Sequence, residues 1–231
     1  MITDAIFDLD DTLCDFSTAR ERGVAHAFET LPVEYRSAAY DLWNKIEPTL
    51  FEVFATREIS RDDYRWLRFH LVLSEMGLVP GEASEERWLV ASMNDSFMSE
   101  INDAIEPMAG ASECLTALVD RGIKCHVLTN GPSDSQRRRL SRLGFVPFLD
   151  NVFVSEELGA FKPDPAVFAA TVDRIGRPPN QILVVGDDLN RDILPARKAG
   201  LHAVHFAPAG SSYRPSIRRL SEVEDEIASL K

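Results

Sequence analysis

From about Ile105 onward the chain alternates short apolar runs with longer stretches of helical character. Ile123–Thr129, Val152–Ser155, Ile182–Gly186 and His202–Phe206 read as strands, and Ala5–Phe7 near the start has the same character. These runs are almost unbroken rather than alternating, which is the pattern of strands buried on both faces of a parallel sheet. Between them, an Arg-rich segment ending near Gly144 and a stretch closing at Gly200 predict helices. Pro165–Ile175 predicts another, with proline in its first turn and Gly176 just past its end. The expected fold class is α/β, a Rossmann-like parallel five-stranded core with helices on both faces.

The segment from roughly Asp15 to Asn102 contains no convincing strand. Helix starts recur in it: Thr18-Ala-Arg-Glu21 and Ser60-Arg-Asp-Asp63 both fit capping-box or acidic first-turn patterns. Gly77 closes the helix after Ser60, and Pro80-Gly81 marks a turn before the next. A helical block of this length, inserted after the first strand, predicts two domains. Residues 1–14 and 105–231 form the core and residues 15–104 a mainly α-helical domain, with hinges near Asp15 and Pro107. Phe51, Phe54, Tyr64, Trp66 and Phe69 are expected mostly in the core of that helical bundle. Arg57, Arg61, Arg65 and Arg68 are most simply a solvated helix face.

Composition narrows the partners. The 231 residues are 45% hydrophobic and 27% charged, ordinary for a soluble globular protein. Cys14, Cys114 and Cys125 form no CxxC pair, which argues against a disulfide framework or zinc site and for a reducing cytoplasm. The N-terminus carries no basic region and no apolar run reaches membrane-spanning length, so a cytoplasmic protein is expected. A formal charge of −12 disfavours nucleic acid, whose binding depends on basic patches. An acidic protein can still bind an anion where a cation or a few basic side chains reverse the local field.

Candidate chemistry gathers around the strand ends. Asp8 and Asp10 follow the first strand two residues apart, facing the crevice where open α/β sheets bind ligands. Taken alone, a solvated acidic turn would account for them equally well. Thr129-Asn130-Gly131 ends the second strand and opens a helix, where backbone N–H groups could receive phosphate, although Asn-Gly is also a common turn. Lys162 stands between Phe161 and Pro163, and alone a surface lysine is the simpler account. Asp187 and Asp188, with Asp192 close behind, follow the Ile182–Gly186 strand; helix capping explains one of these acids but not all three. Together the set suits phosphoryl transfer, which depends on positioning and charge neutralisation. Mg²⁺, which takes one or two carboxylates plus phosphate oxygens and waters, could be held by Asp8 and Asp187.

Asp8-x-Asp10-x-Thr12, Thr129-Asn130, Lys162 and Gly186-Asp187 with Asp192 resemble, in order, the four motifs of the haloacid-dehalogenase-like hydrolase superfamily. The resemblance covers the whole chain, with the helical block in the place of a cap domain between the first two motifs. It implies that Asp8 is the nucleophile and Asp10 the general acid and base. Mg²⁺ would be held by the side chains of Asp8 and Asp187 and the backbone carbonyl of Asp10. Thr129, the Asn130 backbone and Lys162 would neutralise phosphoryl oxygens. Asp192 would orient Lys162 or a metal-bound water, Asp188 would support the cluster, and Thr12 would buttress the loop. The implied activity is a Mg²⁺-dependent phosphatase of a small phosphorylated metabolite, of nucleotide or sugar phosphate type. The enzyme would be a monomer or homodimer.

Other activities fit less well. A 2-haloacid dehalogenase lacks the acid two residues after the nucleophile and the metal-binding carboxylate of the last motif; this chain has Asp10 and Asp187. A phosphonate hydrolase needs a Schiff-base lysine near the start of the cap, where only Lys45, in a poor context, is available. A sugar phosphomutase uses the same two aspartates and stays open. A binding module on a dead scaffold is disfavoured by the intact acid, metal and lysine set. Arg68-Phe69 resembles a pair in capped nucleotidase-like and sugar-phosphate phosphatases of the superfamily.

Overall fold

A computed structural model describes residues 1–230. The chain runs β1 (Asp4–Phe7), α1 (Phe16–Ala27), α2 (Val33–Ala55), α3 (Arg61–Glu75), α4 (Ala83–Ala104), α5 (Ala111–Asp120) and β2 (Lys124–Thr129). It continues through α6 (Ser133–Arg142), β3 (Leu149–Val154), α7 (Ser155–Leu158), α8 (Pro165–Ile175) and β4 (Ile182–Gly186). A π-helical turn, Leu189–Ile193, then leads into α9 (Leu194–Lys198), followed by β5 (His202–Phe206), β6 (Ser216–Ile217) and α10 (Val223–Ser229). Two compact units result: Met1–Asp15 with Glu106–Lys231, and Phe16–Ile105.

The first unit is built on one parallel sheet in the order β3-β2-β1-β4-β5-β6. The sixth strand was not expected from sequence. It is a two-residue edge, and so short a segment carries no periodicity to read. Side chains alternate between the faces of each strand. Ile6, Leu128, Ile182, Val184 and Ala203 belong to one buried cluster with Val167 and Phe168 of α8 and Ala196 of α9. Ala5, Phe7, Cys125 and Val127, at the alternate positions, are fully buried as well. With both faces covered, the unbroken apolar runs have their explanation. β1 lies between β2 and β4, so the strand order reverses beside it, and such a switch opens a crevice at the carboxyl ends of the strands.

The second unit is wholly helical. Ser60 caps α3 with a reciprocal capping box to Asp63, and Gly77, at φ 67°, follows that helix. The Thr18–Glu21 pattern does not mark a helix start: α1 begins at Phe16, which leaves Thr18 inside the first turn. Gly23 of α1 permits a close approach to α4, because a Cβ there would fall 2.9 Å from Ile101 Cγ1 and 3.0 Å from the Phe97 carbonyl oxygen. Phe28, Trp43, Phe69 and Phe97 form the aromatic centre, with ring centroids 4.7–6.2 Å apart. Phe54, Tyr64 and Phe69 are buried, whereas Phe51 and Trp66 are only half-buried. Arg68 departs from the expected solvated face. It is buried over the Phe97 ring at 4.4 Å and donates to Asn94, because it lies one position before Phe69 on the inward side of α3.

Candidate active site

Asp8 leaves β1 opposite the end of β4, where its backbone N–H donates to the Val185 carbonyl at 2.9 Å. The chain then turns sharply. The amides of Leu13 and Cys14 both reach the Leu9 carbonyl at 3.0 Å, and Asp11 takes φ 58°, a left-handed conformation that Asp tolerates better than bulkier residues. Asp8 and Asp10 are thereby separated in surroundings although they are two residues apart.

Asp8 faces a buried cation. Lys162 Nζ lies 2.7 Å from Asp8 Oδ1 and 2.6 Å from Asp192 Oδ1. Lys162 is not at a strand end, as the motif order suggested, but in the loop between α7 and α8. What fixes it there is Asn130, whose side-chain amide donates to the Lys162 carbonyl at 2.8 Å and whose Oδ1 accepts from the Lys162 N–H at 2.9 Å. Ser155 Oγ donates to the same Oδ1 at 2.6 Å. The side chain of Asn130 thus mimics a strand neighbour and holds the loop, a task the sequence did not reveal.

Asp187 follows β4 beside Asp8, and Thr12 Oγ1 donates to its Oδ1 at 3.2 Å. Its carbonyl lies 2.8 Å from Nε2 of His205, at the end of β5. A carbonyl can only accept, so this nitrogen carries the proton, and Nδ1 lies 3.0 Å from Ser211 Oγ. Asp192, on the π-helical turn, is fully buried; its Oδ2 accepts from the Asp188 N–H at 3.2 Å. Gly186 makes room for it, since a Cβ there would fall 2.5 Å from Asp192 Oδ2. Asp188 turns outward and accepts from the amides of Asn190 and Arg191, as a capping residue does.

Burial, then the charges of Asp192, Asp187 and Asp10, raises the Asp8 carboxyl well above the usual carboxylate range, with Lys162 opposing. Asp187 is raised to about 7, first by burial and then by Asp192 and Asp11. Burial alone would lower Lys162; the Asp192 and Asp8 carboxylates outweigh it and hold the ammonium above its ordinary value. Ligand oxygens of Asp8, Asp187 and Asp192 lie within 4.8 Å of one another. An all-oxygen set whose members oppose each other's ionisation fits a small hard divalent cation, which would remove that opposition. Lys162 and the Asp188 amide already engage both oxygens of Asp192, which leaves Asp8 and Asp187 the better placed to hold the ion.

Thr129 ends β2, and its hydroxyl donates to the Asn130 carbonyl at 3.2 Å. The expectation that the helix begins at this point is corrected. α6 starts at Ser133, after Pro132, and the Ser133 amide is already capped by Glu156 Oε2 at 2.7 Å. Two further residues reach the site unforeseen. Gln136 Nε2 donates to Asp10 Oδ2 at 3.1 Å, and Arg139 donates to Asp10 Oδ1.

A parallel sheet with a carboxylate pair after its central strand, a buried lysine and a second acidic cluster defines a class of hydrolases. A family model for haloacid dehalogenase-like hydrolases matches residues 5–200, and the chain belongs to that family. Among its relatives, the ribulose-1,5-bisphosphate 5-phosphatase of Halopiger xanaduensis is 28% identical, over 92% of this chain and 87% of the relative. The pyrimidine 5′-nucleotidase PynA of Streptococcus pneumoniae is 26% identical, over 88% of this chain and 83% of its own. The solved structure of the HAD-hydrolase YfnB of Bacillus subtilis is 25% identical and covers 98% of both chains at a TM-score of 0.76. YfnB was bound to magnesium and shows interdomain movement. No helix among the described residues of the present chain is long and apolar enough to cross a membrane.

Proposed function

We propose that this hydrolase is a Mg²⁺-dependent phosphatase of a small phosphate monoester, of nucleotide or sugar phosphate type, acting through an aspartyl-phosphate on Asp8. The observation that carries this is the buried Asp8–Lys162–Asp192 network beside Asp187: a carboxylate oxygen at a strand end, with a cation fixed 2.7 Å away. Relatives that hydrolyse a sugar bisphosphate and pyrimidine nucleotides support the substrate class.

In the first step an oxygen of Asp8 attacks phosphorus, and the bond to the leaving oxygen breaks with its electron pair on that oxygen. Asp10 gives the leaving oxygen its proton. In the second step a water oxygen attacks the phosphorus of the aspartyl-phosphate, its proton passes to Asp10, and the bond to Asp8 breaks. Inorganic phosphate leaves and both aspartates return to their starting states. Lys162, with Thr129 and the Asn130 backbone, offsets the charge on the phosphoryl oxygens. Asp192 keeps Lys162 aimed at Asp8. Mg²⁺, held by the side chains of Asp8 and Asp187 and the Asp10 carbonyl, would draw off charge from the phosphoryl group. The helical unit is proposed as the cap that selects the substrate, in keeping with the interdomain movement of YfnB.

Rapid acid quench of the enzyme with an aryl phosphate and Mg²⁺, followed by peptide mass spectrometry, tests this assignment. Phosphate is expected on Asp8, absent in Asp8→Asn, and turnover is expected to cease with chelator. Phosphate on another residue, or full activity in excess chelator, would refute it.

A further inference from the structure

Asp10 is held by a device that lies outside the four motifs. Its two carboxylate oxygens accept from two different side chains of α6: Oδ1 from Arg139 and Oδ2 from Gln136 at 3.1 Å. The donors are tied to each other, because Arg139 also donates to Gln136 Oε1 at 2.9 Å. Gln136 is used completely. Its Oε1 receives Arg139, and its amide nitrogen donates both to Asp10 and, at 2.7 Å, to the Asn130 carbonyl. The orientation of that amide is therefore set by its partners, since the flipped form would place an oxygen against two acceptors. Gly131, at φ 129°, leaves the space: a Cβ there would stand 2.7 Å from Gln136 Nε2. Gln136 and Arg139 are 2% and 5% exposed, an unusual burial for either residue type without a task.

We propose that Gln136 and Arg139 are positioning residues that fix the plane of the Asp10 carboxyl, and that proton transfer to the leaving oxygen depends on them. This rests on the role given to Asp10 above. A carboxyl gripped at one oxygen can rotate about its χ angles; gripped at both by donors that brace each other, it cannot. Misplacing a reacting group by about 1 Å can cost on the order of 100-fold in rate. The bonds of Gln136 and Arg139 run to the Asp10 carboxyl, to each other and to the Asn130 carbonyl, so their loss is expected to bear first on Asp10.

The proposal is tested with phosphate monoesters whose leaving groups run from nitrophenols, which depart without a proton, to alkyl alcohols, which need one. Arg139→Met and Gln136→Leu are expected to lose kcat/KM, which reports the steps through phosphorylation of Asp8, about 100-fold on the alkyl esters. On nitrophenyl phosphate the expected loss of kcat/KM, which does not include the later water step that also uses Asp10, is only a few-fold, and the Mg²⁺ concentration for half-activity should not change. Arg139→Lys, which keeps the charge and one donor, should recover part of the alkyl activity. Thermal denaturation of each variant shows whether it is folded. An equal loss of kcat/KM on all leaving groups, in folded variants, overturns the positioning role. Asp10→Asn serves as the control: if it too loses kcat/KM equally on every ester, the role of Asp10 as acid toward the leaving oxygen fails, and the proposal with it. A steep dependence in Asp10→Asn beside a flat one in Arg139→Met would overturn the positioning role alone.

Discussion

Replacing Lys162 with methionine removes one charge from the centre of the site and little else. The Lys162 backbone stays anchored through its two bonds to Asn130, and methionine fills most of the volume of the lysine stem. What is lost is the ammonium between Asp8 and Asp192, whose side chains are 13% and 2% exposed. Removing one partner from a buried ion pair costs about 3–5 kcal/mol, because the other is left charged and unsolvated. Here the cost should fall near the lower end. Asp8, already raised well above its ordinary range, can take up a proton in place of the lost cation. A loss of about 3 kcal/mol corresponds to roughly 6–12 °C in Tm for a chain of this size. Tryptophan fluorescence is the wrong probe, since Trp43, Trp66 and Trp88 all lie in the helical unit. Calorimetry or circular dichroism in metal-free buffer reports the unit concerned. The double variant Lys162→Met with Asp192→Asn should lose less than the sum of the single changes, since one carboxylate no longer lacks a partner. A Lys162→Met protein within about 1 kcal/mol of wild type would refute the reasoning, because the acids would then be compensated without the lysine.

Gly186→Ala would drive a methyl group to within 2.5 Å of Asp192 Oδ2 and 2.6 Å of its Cβ, so the acid must move off Lys162. Such overpacking costs about 1–3 kcal/mol, and the displaced Asp192 should lower activity by more than the lost stability explains; unaltered turnover would count against the role of Asp192. The three thiols are all buried. Burial first of all raises Cys114 and Cys125 to about 12 and Cys14 well above its usual value. The folded protein should therefore react with a disulfide reagent very slowly at neutral pH and yield three thiols only on unfolding. Rapid labelling of Cys14 in the folded state would mean that the Asp8–Cys14 turn opens.

The strands and their chemistry were legible because burial on both faces leaves an unbroken apolar run, and the acids begin where the run stops. Asp8 after Phe7 and Asp187 after Gly186 follow from that alone. Sequence was a poorer guide wherever a side chain's partner lies far along the chain. Asn130 was singled out for its backbone, but its side chain spends its bonds on Lys162 and Ser155, which only the pairing of β2 with β3 brings near. Arg68 was placed with Arg57, Arg61 and Arg65 on a solvated face, although its position beside Phe69 gave a reason to turn it inward.

Helix α6 is the sharpest case, and it did carry a signal. Its sequence, SDSQRRRLSR, offers four arginines and a single large apolar residue, Leu140. A helix that polar looks exposed all round, and no propensity distinguishes one arginine from the next. Leu140, however, must define whatever inward face exists. Gln136 lies four residues before it, on the same side, and Arg139 lies three residues after Gln136. The helical repeat therefore turns Gln136 inward with Leu140 but does not separate Arg139 from Arg137, which lies three residues before Leu140. The structure does, leaving Arg137 half-exposed against Glu157 and burying Gln136 and Arg139. Both are then committed to burial beside the end of β2, where two side chains rich in N–H groups require acceptors. Asp10, after the neighbouring strand β1, is the carboxylate that supplies them.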